Sequence, residues 1–420
     1  MQWHASAVLL TVVVLFVLVH GSARAAKTPS TRAPVTHTPT PAPTCIIRLG
    51  FVYPQTGPLA YFEAHAAYAT AIGKVNMGDY ASGARTAGFA LGKGLPLCRY
   101  ELVERDNESN VTLHGILVAQ LIPQVDFFLI GNPFKAYALE AAKLVVDANM
   151  ISLSCCSASD TTFTLEPNQQ FLFGIARPDA NIVGPLLHYL NLTPVQPKLA
   201  VVYSTLEDEN LQACMNVWTL RERLSVVVNF SLVTGDGTYT KVPEQIKTSG
   251  ATVLVACLEL SDALLLAPLV GELHMDGSFY LNGPSFPQFR ALPSAMYTFT
   301  GVQWAPEMPF VDELFGNSTQ FIADMEHYGN FTLPLSDVSS RAAVSVEILT
   351  RAIVHAAKDQ TGSDVAQLLA SVKQRTAAAI QSFTDATLMG PIEFNELHRN
   401  VAGTNAVSQI LPTSGWASIV

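Results

Sequence analysis

The stretch Cys45-Ile-Ile-Arg-Leu-Gly-Phe-Val-Tyr53 (CIIRLGFVY) is an apolar run rich in β-branched residues. A run of that length bounded by a turn reads as a strand buried on both faces, the signature of a parallel sheet rather than of a half-wet antiparallel one. Gln55-Thr56-Gly57-Pro58 turns the chain, and the Ala-rich segment from 60 to 75 reads as a helix. Strand and helix then alternate. Strands are expected at 99–105 (RYELVER), 125–130 and 150–153, with helices at 113–122 and 137–148 between and after them. Repeated βα units with short connections imply a parallel sheet covered by helices on both faces.

The same grammar restarts further on. Helices are expected at 180–190, 212–224, 243–249 and 261–273, and strands at 198–203 (KLAVVY), 225–232, 251–258 and 278–281. An amphipathic helix is expected at 340–357 and another at 364–374. The fold class is therefore α/β, with two Rossmann-like halves and no long linker between them. A chain of 420 residues, 49% of them hydrophobic, suits this division, because single cores stop growing at roughly 250–300 residues. Ligands of open α/β sheets sit outside the carboxyl ends of the strands, so two facing sheets create a cleft between lobes.

Residues 1–25 read as a signal peptide. The apolar run Val8–Val19 is shorter than the ~20 residues a membrane span needs, and Ala23-Arg24-Ala25 fits a cleavage site. The segment MQWH lacks Lys and Arg, so an uncleaved anchor is the alternative. Residues 26–44, almost wholly Thr, Pro, Ala and Ser, read as an extended spacer or plain disordered tail. Six sequons begin at Asn107, Asn110, Asn191, Asn229, Asn317 and Asn330. With a signal peptide and an even number of cysteines, they point to a glycosylated protein of the eukaryotic secretory pathway, secreted or at the cell surface. The net charge of −10 disfavours nucleic acid and anionic membranes as partners.

No nucleophile elbow, phosphate-binding loop or zinc-protease motif occurs, and no His pairs with another at helical spacing. The expectation is a protein that is not an enzyme and takes no cofactor or metal.

The ordered set IRLGFVYPQTGPLA (47–60), 125–131, MISLSCCSAS (150–159), FLFGIARPDA (171–180) and GPIEFN (390–395) with LHRNVAGTNAVSQI (397–410) resembles the type I periplasmic binding proteins. The likeness is strongest to the leucine/isoleucine/valine-binding group and the receptor ligand-binding regions of the same fold. It implies three crossings between lobes, with 45–180 and 305–378 in lobe 1 and 181–304 and 379–416 in lobe 2. It also implies a Cys45–Cys98 disulfide. To this we add Cys214–Cys257, which would join a helix to a nearby strand.

The resemblance further implies a site built from three lobe 1 loops. These carry Tyr53, Gln55 and Phe62; then Lys135; then Cys156, Ser157 and Ala158. Lobe 2 would add Asp179, with Glu209 and Asn282 as further candidates. Lys135 and Asp179 would offer opposite charges to an amino-acid-like or acidic ligand. Each has a plainer reading: Lys135 as a solvated lysine, Asp179 as a helix N-cap, Phe62 as core. Adjacent Cys155 and Cys156 are read as a ring disulfide, as free thiols, or as two small residues packed at a strand end. Two functions follow. One is capture of a small molecule, with a membrane receptor partner or a homodimer through lobe 1. The other is a surface interaction protein that keeps the fold without the ligand.

Overall fold

The computed structural model describes residues 45–79, 88–91, 97–165, 169–178, 183–191, 196–204, 214, 225–233, 238–281, 283–332, 335–360, 365–402, 406–411 and 417–418. The expected helix at 212–224 lies outside these residues, apart from Cys214.

The first sheet is built from β1 (Cys45–Tyr53), β2 (Phe89–Ala90), β3 (Leu97–Asp106), β4 (Phe127–Ile130), β5 (Ser152–Ser154) and β6 (Leu172–Gly174), in the order β2-β3-β1-β4-β5-β6. All neighbours are parallel except β2 against β3. In β1 every residue from Leu49 to Tyr53 is buried, as a strand covered on both faces must be. The second sheet contains β7 (Lys198–Ser204), β8 (Ser225–Leu232), β9 (Val253–Cys257), β10 (Gly277–Tyr280) and β11 (Phe299–Val302). After two small hairpins, β12–β13 (Val311–Asp312, Gly316–Asn317) and β14–β15 (Ala386–Thr387, Gly390–Pro391), it is completed by β16 (Ala406–Gln409) and β17 (Ala417–Ser418). Its order is β17-β16-β11-β10-β9-β7-β8. The core is parallel, and β16 and β17 add antiparallel strands at one edge.

Helices α1 (Glu63–Met77), α2 (Val111–Leu121) and α3 (Lys135–Asp147) join the strands of the first sheet. Helices α4 (Gly184–Asn191), α5 (Val242–Ser249), α6 (Leu260–Gly271) and the one-turn α7 (Pro287–Arg290) accompany the second. The chain then returns to the first sheet with α8 (Ser318–His327), α9 (Asp337–Ala357) and α10 (Val365–Gln381), where α9 packs between α1 and α10. Among the described residues no helix is long and apolar enough to cross a membrane.

Residues after the second hairpin reach the first sheet: Phe394 and His398 pack on Phe173 of β6, and Arg399 bridges Gly174. The amphipathic helix expected at 340–357 is α9, and 18 of its 21 residues are buried, so its polar side is covered as well. Several of its small hydroxyls bond back to the helix. Ser345 Oγ donates to Arg341 O at 2.8 Å and Thr350 Oγ1 to Val346 O at 2.6 Å, so small hydroxyls enter the core without a desolvation penalty.

The cysteines pair as Cys45–Cys98, Cys214–Cys257 and Cys155–Cys156. The first joins register partners at the start of β1 and β3.

Candidate cleft between two sheets

The carboxyl ends of both sheets meet. After β4 the chain runs Gly131-Asn132-Pro133-Phe134 into α3, and after β5 it runs through Cys155–Ser159. From the second sheet come Leu258 and Glu259 after β9, and Gly283-Pro284-Ser285-Phe286 after β10. These loops and the first turn of α9 enclose a cavity of about 60 Å³. Lys135, Cys156, Ser157 and Ala158 line it from one side, and Glu259 and Phe286 from the other.

Gly131 is required where β4 opens into the site. A Cβ there would meet Phe51 at 2.6 Å and Tyr68 at 2.7 Å. Across the cleft, Phe134 and Phe286 stack with ring centroids 5.3 Å apart and planes 18° from parallel. Tyr61, just before α1, adds a tilted contact to Phe286 at 5.8 Å. This apolar clasp joins loops of the two sheets at the mouth of the cavity.

Polar groups sit beside it. Arg341 is 6% exposed, lines the cavity, and is held by Asp337, with Nη2 3.1 Å from Oδ1. The other Asp337 oxygen accepts from Gln303 N at 3.2 Å, fixing α9 to the end of β11. Glu63 is fully buried, and burial raises its carboxyl above the usual range against the opposing pull of Arg290 and the Ser336 hydrogen bonds. Ser336 N and Oγ both donate to its Oε1, the latter at 2.8 Å, and Tyr61 Oη donates to Oε2 at 3.3 Å. The loop that carries Ala158 is braced from behind. Arg399 Nη2 donates to Ala158 O at 2.9 Å while Nη1 pairs with Asp160.

Of the residues expected from sequence, Lys135, Cys156, Ser157 and Ala158 come together here. Cys156 enters as half of the ring disulfide with Cys155. Tyr53, Gln55 and Phe62 are not among the lining residues. Tyr53 is buried between Phe51 and His65, with stacked centroids at 4.5 and 5.1 Å. Gln55 N donates to Asp106 Oδ1 at 2.9 Å, part of a turn that Asp106 organises. Burial raises the Asp106 carboxyl, but donors from Glu108, Thr56 and Gln55 outweigh it and hold the group below the ordinary value. Phe62 is 49% exposed beside Tyr53, so it is not core. Asp179, Glu209 and Asn282 lie outside the described residues.

Sequence reasoning missed Arg341, Phe134, Phe286 and Glu259. Two signals pointed to them. Arg341 is a lone cation in a run of small residues (SSRAAVSV), and GNPF and GPSF repeat a Gly-to-Phe spacing after a strand in each half.

The family model described as "Periplasmic binding protein" matches residues 46–409. No curated protein matches the chain. Among solved structures, a leucine-binding protein of Thermotoga maritima superposes with a TM-score of 0.68 at 13% identity, covering 89% of this chain and 98% of its own. A transporter solute-binding protein of R. palustris in complex with benzoate gives 0.66 at 13%, with 89% and 95% covered. A branched-chain amino acid transporter substrate-binding protein of Streptococcus pneumoniae in complex with isoleucine gives 0.66 at 15%, with 89% and 98% covered. Two parallel-cored sheets with their strand ends around one cavity, and a family match spanning both, make this chain a member of the periplasmic binding protein family, with the type I fold.

Proposed function

We propose that the chain captures a small molecule between two lobes and does no chemistry on it. The observation that carries this reading is a single cavity lined by loop tips from both sheets. Lys135, Ser157 and the loop of Cys156 and Ala158 hold the ligand from lobe 1, while Glu259, Ser285 and Phe286 close from lobe 2. Arg341 offers a buried guanidinium to a carboxylate. Lobe 1 comprises 45–180 and 305–400, extending past the expected 378, and lobe 2 takes 181–304 and the C-terminal strands. Leucine, isoleucine and benzoate, the ligands of its structural neighbours, are the first compounds to try.

The cavity measures about 60 Å³. Ligand pockets measure about 300–1,000 Å³. Capture therefore requires the lobes to part and the Phe134–Phe286 stack to break before closing again. The same small volume favours the second reading, an interaction protein that keeps the fold without a ligand. Thermal denaturation against amino acids and aromatic carboxylates separates the two. A ligand at a hundred times its Kd adds about 2.7 kcal/mol. No shift for any compound, together with no co-purified molecule in native mass spectrometry, would leave the second reading standing.

Secretion and glycosylation belong to the proposal. Asn110, Asn229, Asn317 and Asn330 are exposed and are the acceptors. Asn107, 0% exposed with its Nδ2 donating to His114 Nδ1 at 3.0 Å, is the poorest acceptor of the set. The side chain of Asn191 lies outside the described residues. A membrane receptor or a second copy docking on lobe 1 is the proposed larger partner.

A further inference from the structure

The Cys155–Cys156 bond differs from the other two disulfides in what it ties together. Cys45–Cys98 and Cys214–Cys257 join residues 53 and 43 positions apart, whereas the ring joins neighbours. In the chain-entropy account a disulfide stabilises a fold by restricting the unfolded chain, and the effect grows with the loop it closes. A bond between adjacent residues closes no such loop. Breaking it therefore costs the fold little, while the same reaction at either other pair releases a long segment.

The loop around the ring is held by other means. Cys155 N donates to Ile130 O at 3.1 Å, which fixes the first cysteine to the end of β4. Two residues beyond Cys156, Ala158 O accepts from Arg399 Nη2 at 2.9 Å. The second cysteine opens on the cleft. Cys156 is 4% exposed, more than any other cysteine of the chain, and it alone of the six lines the cavity. A reagent entering between the lobes meets Cys156 first.

We infer that Cys155–Cys156 is a thiol–disulfide exchange site, reduced by a small dithiol in the folded protein and reached through the cleft. Access rests on the proposed parting of the lobes. A thiolate of the dithiol attacks Cys156 Sγ, the bond to Cys155 breaks, and a mixed disulfide forms. The Cys155 sulfur leaves as a thiolate and takes a proton. The second thiol of the reagent then displaces Cys156, so two electrons and two protons pass to the protein and the reagent departs as a cyclic disulfide. The cleft thereby has two forms, one walled by a sulfur bridge and one by a thiol.

Graded dithiothreitol on the native full chain, quenched with iodoacetamide and read by peptide mass mapping, tests it. Cys155 and Cys156 should be alkylated together at a concentration at least tenfold below that needed for either other pair, with a native circular dichroism spectrum, and should stay unlabelled without reductant. Phe286→Ala, which loosens the cleft, should speed that labelling at least threefold and leave the other pairs unchanged. Earlier reduction of Cys45–Cys98 or Cys214–Cys257, or labelling of Cys155 and Cys156 without reductant, would overturn the inference. Solution scattering on the same samples separates its failure from that of the opening it rests on. An open Phe286→Ala labelled no faster than the parent overturns the inference alone; a closed one labelled no faster overturns the opening as well.

Discussion

At the scale of single residues, the cleft is decided by a few side chains that do unlike jobs. Phe286 is the aromatic latch. Phe286→Ala removes its stack with Phe134 and its contact with Tyr61, and such aromatic pairs contribute about 0.5–1.5 kcal/mol beyond burial. The expected outcome is a shift toward open lobes, seen as a larger radius of gyration in solution scattering, and an unchanged radius would mean that closure rests elsewhere. Gly131 sets how closely β4 approaches β1. Gly131→Ala drives a methyl into Phe51 and Tyr68, and the expected loss is about 1–3 kcal/mol in urea unfolding. His114 controls the acid limb. Burial depresses its pKa from 6.5 to about 4, against a smaller upward pull from Tyr137. Between those values the unfolded chain binds the proton and the folded chain does not. Stability from this site is therefore complete above pH 6.5 and falls as pH drops toward 4, by roughly 3 kcal/mol in total. Asp312, raised to about 6 chiefly by burial, works in the opposite sense between 3.8 and 6. His114→Gln should remove the part of the stability loss that His114 contributes as pH falls from 6.5 toward 4, read as the difference between the two urea-unfolding profiles. An unchanged slope in that window would refute the assignment.

At the scale of elements, the strands explain why so much of the fold was legible. β1, β7 and β9 are continuous apolar runs because both their faces are covered, and such runs announce themselves in one dimension. β6 has three residues, Leu172–Gly174, and no period can be read from so short a piece. The helix α9 was legible as an element, but its burial was not. Its Ser and Thr positions look like a wet face, but their hydroxyls return to the helix's own carbonyls and the whole element sinks into the lobe. Ala343 in α9 is fully buried, so a larger side chain must enter the packed core. Ala343→Leu should cost about 1–3 kcal/mol, measured as a lower urea midpoint with unchanged slope.

At the scale of the whole molecule, two disulfides close long stretches of chain, with sequence separations of 53 for Cys45–Cys98 and 43 for Cys214–Cys257. Loop entropy predicts that removing either costs up to about 4 kcal/mol. Paired Cys→Ser replacement at 214 and 257 should lower the unfolding midpoint accordingly, and a shift under 1 kcal/mol would mean that the fold there does not lean on the bond. The sequence by itself determined the α/β class, the two halves, most strand positions and, through family likeness, four of the cavity's lining residues. The class, the halves and the strand positions follow from local periodicity, since each strand or helix carries the mark of the face it buries; the lining residues follow from the family likeness alone. The tertiary structure alone decided that residues 394–400 brace the first sheet, that Tyr53 turns into the core, and that Phe134 faces Phe286. Those outcomes depend on which elements share a boundary, and contacts between residues as far apart as Ala158 and Arg399 are set by the joint packing of many elements rather than by any pattern within one.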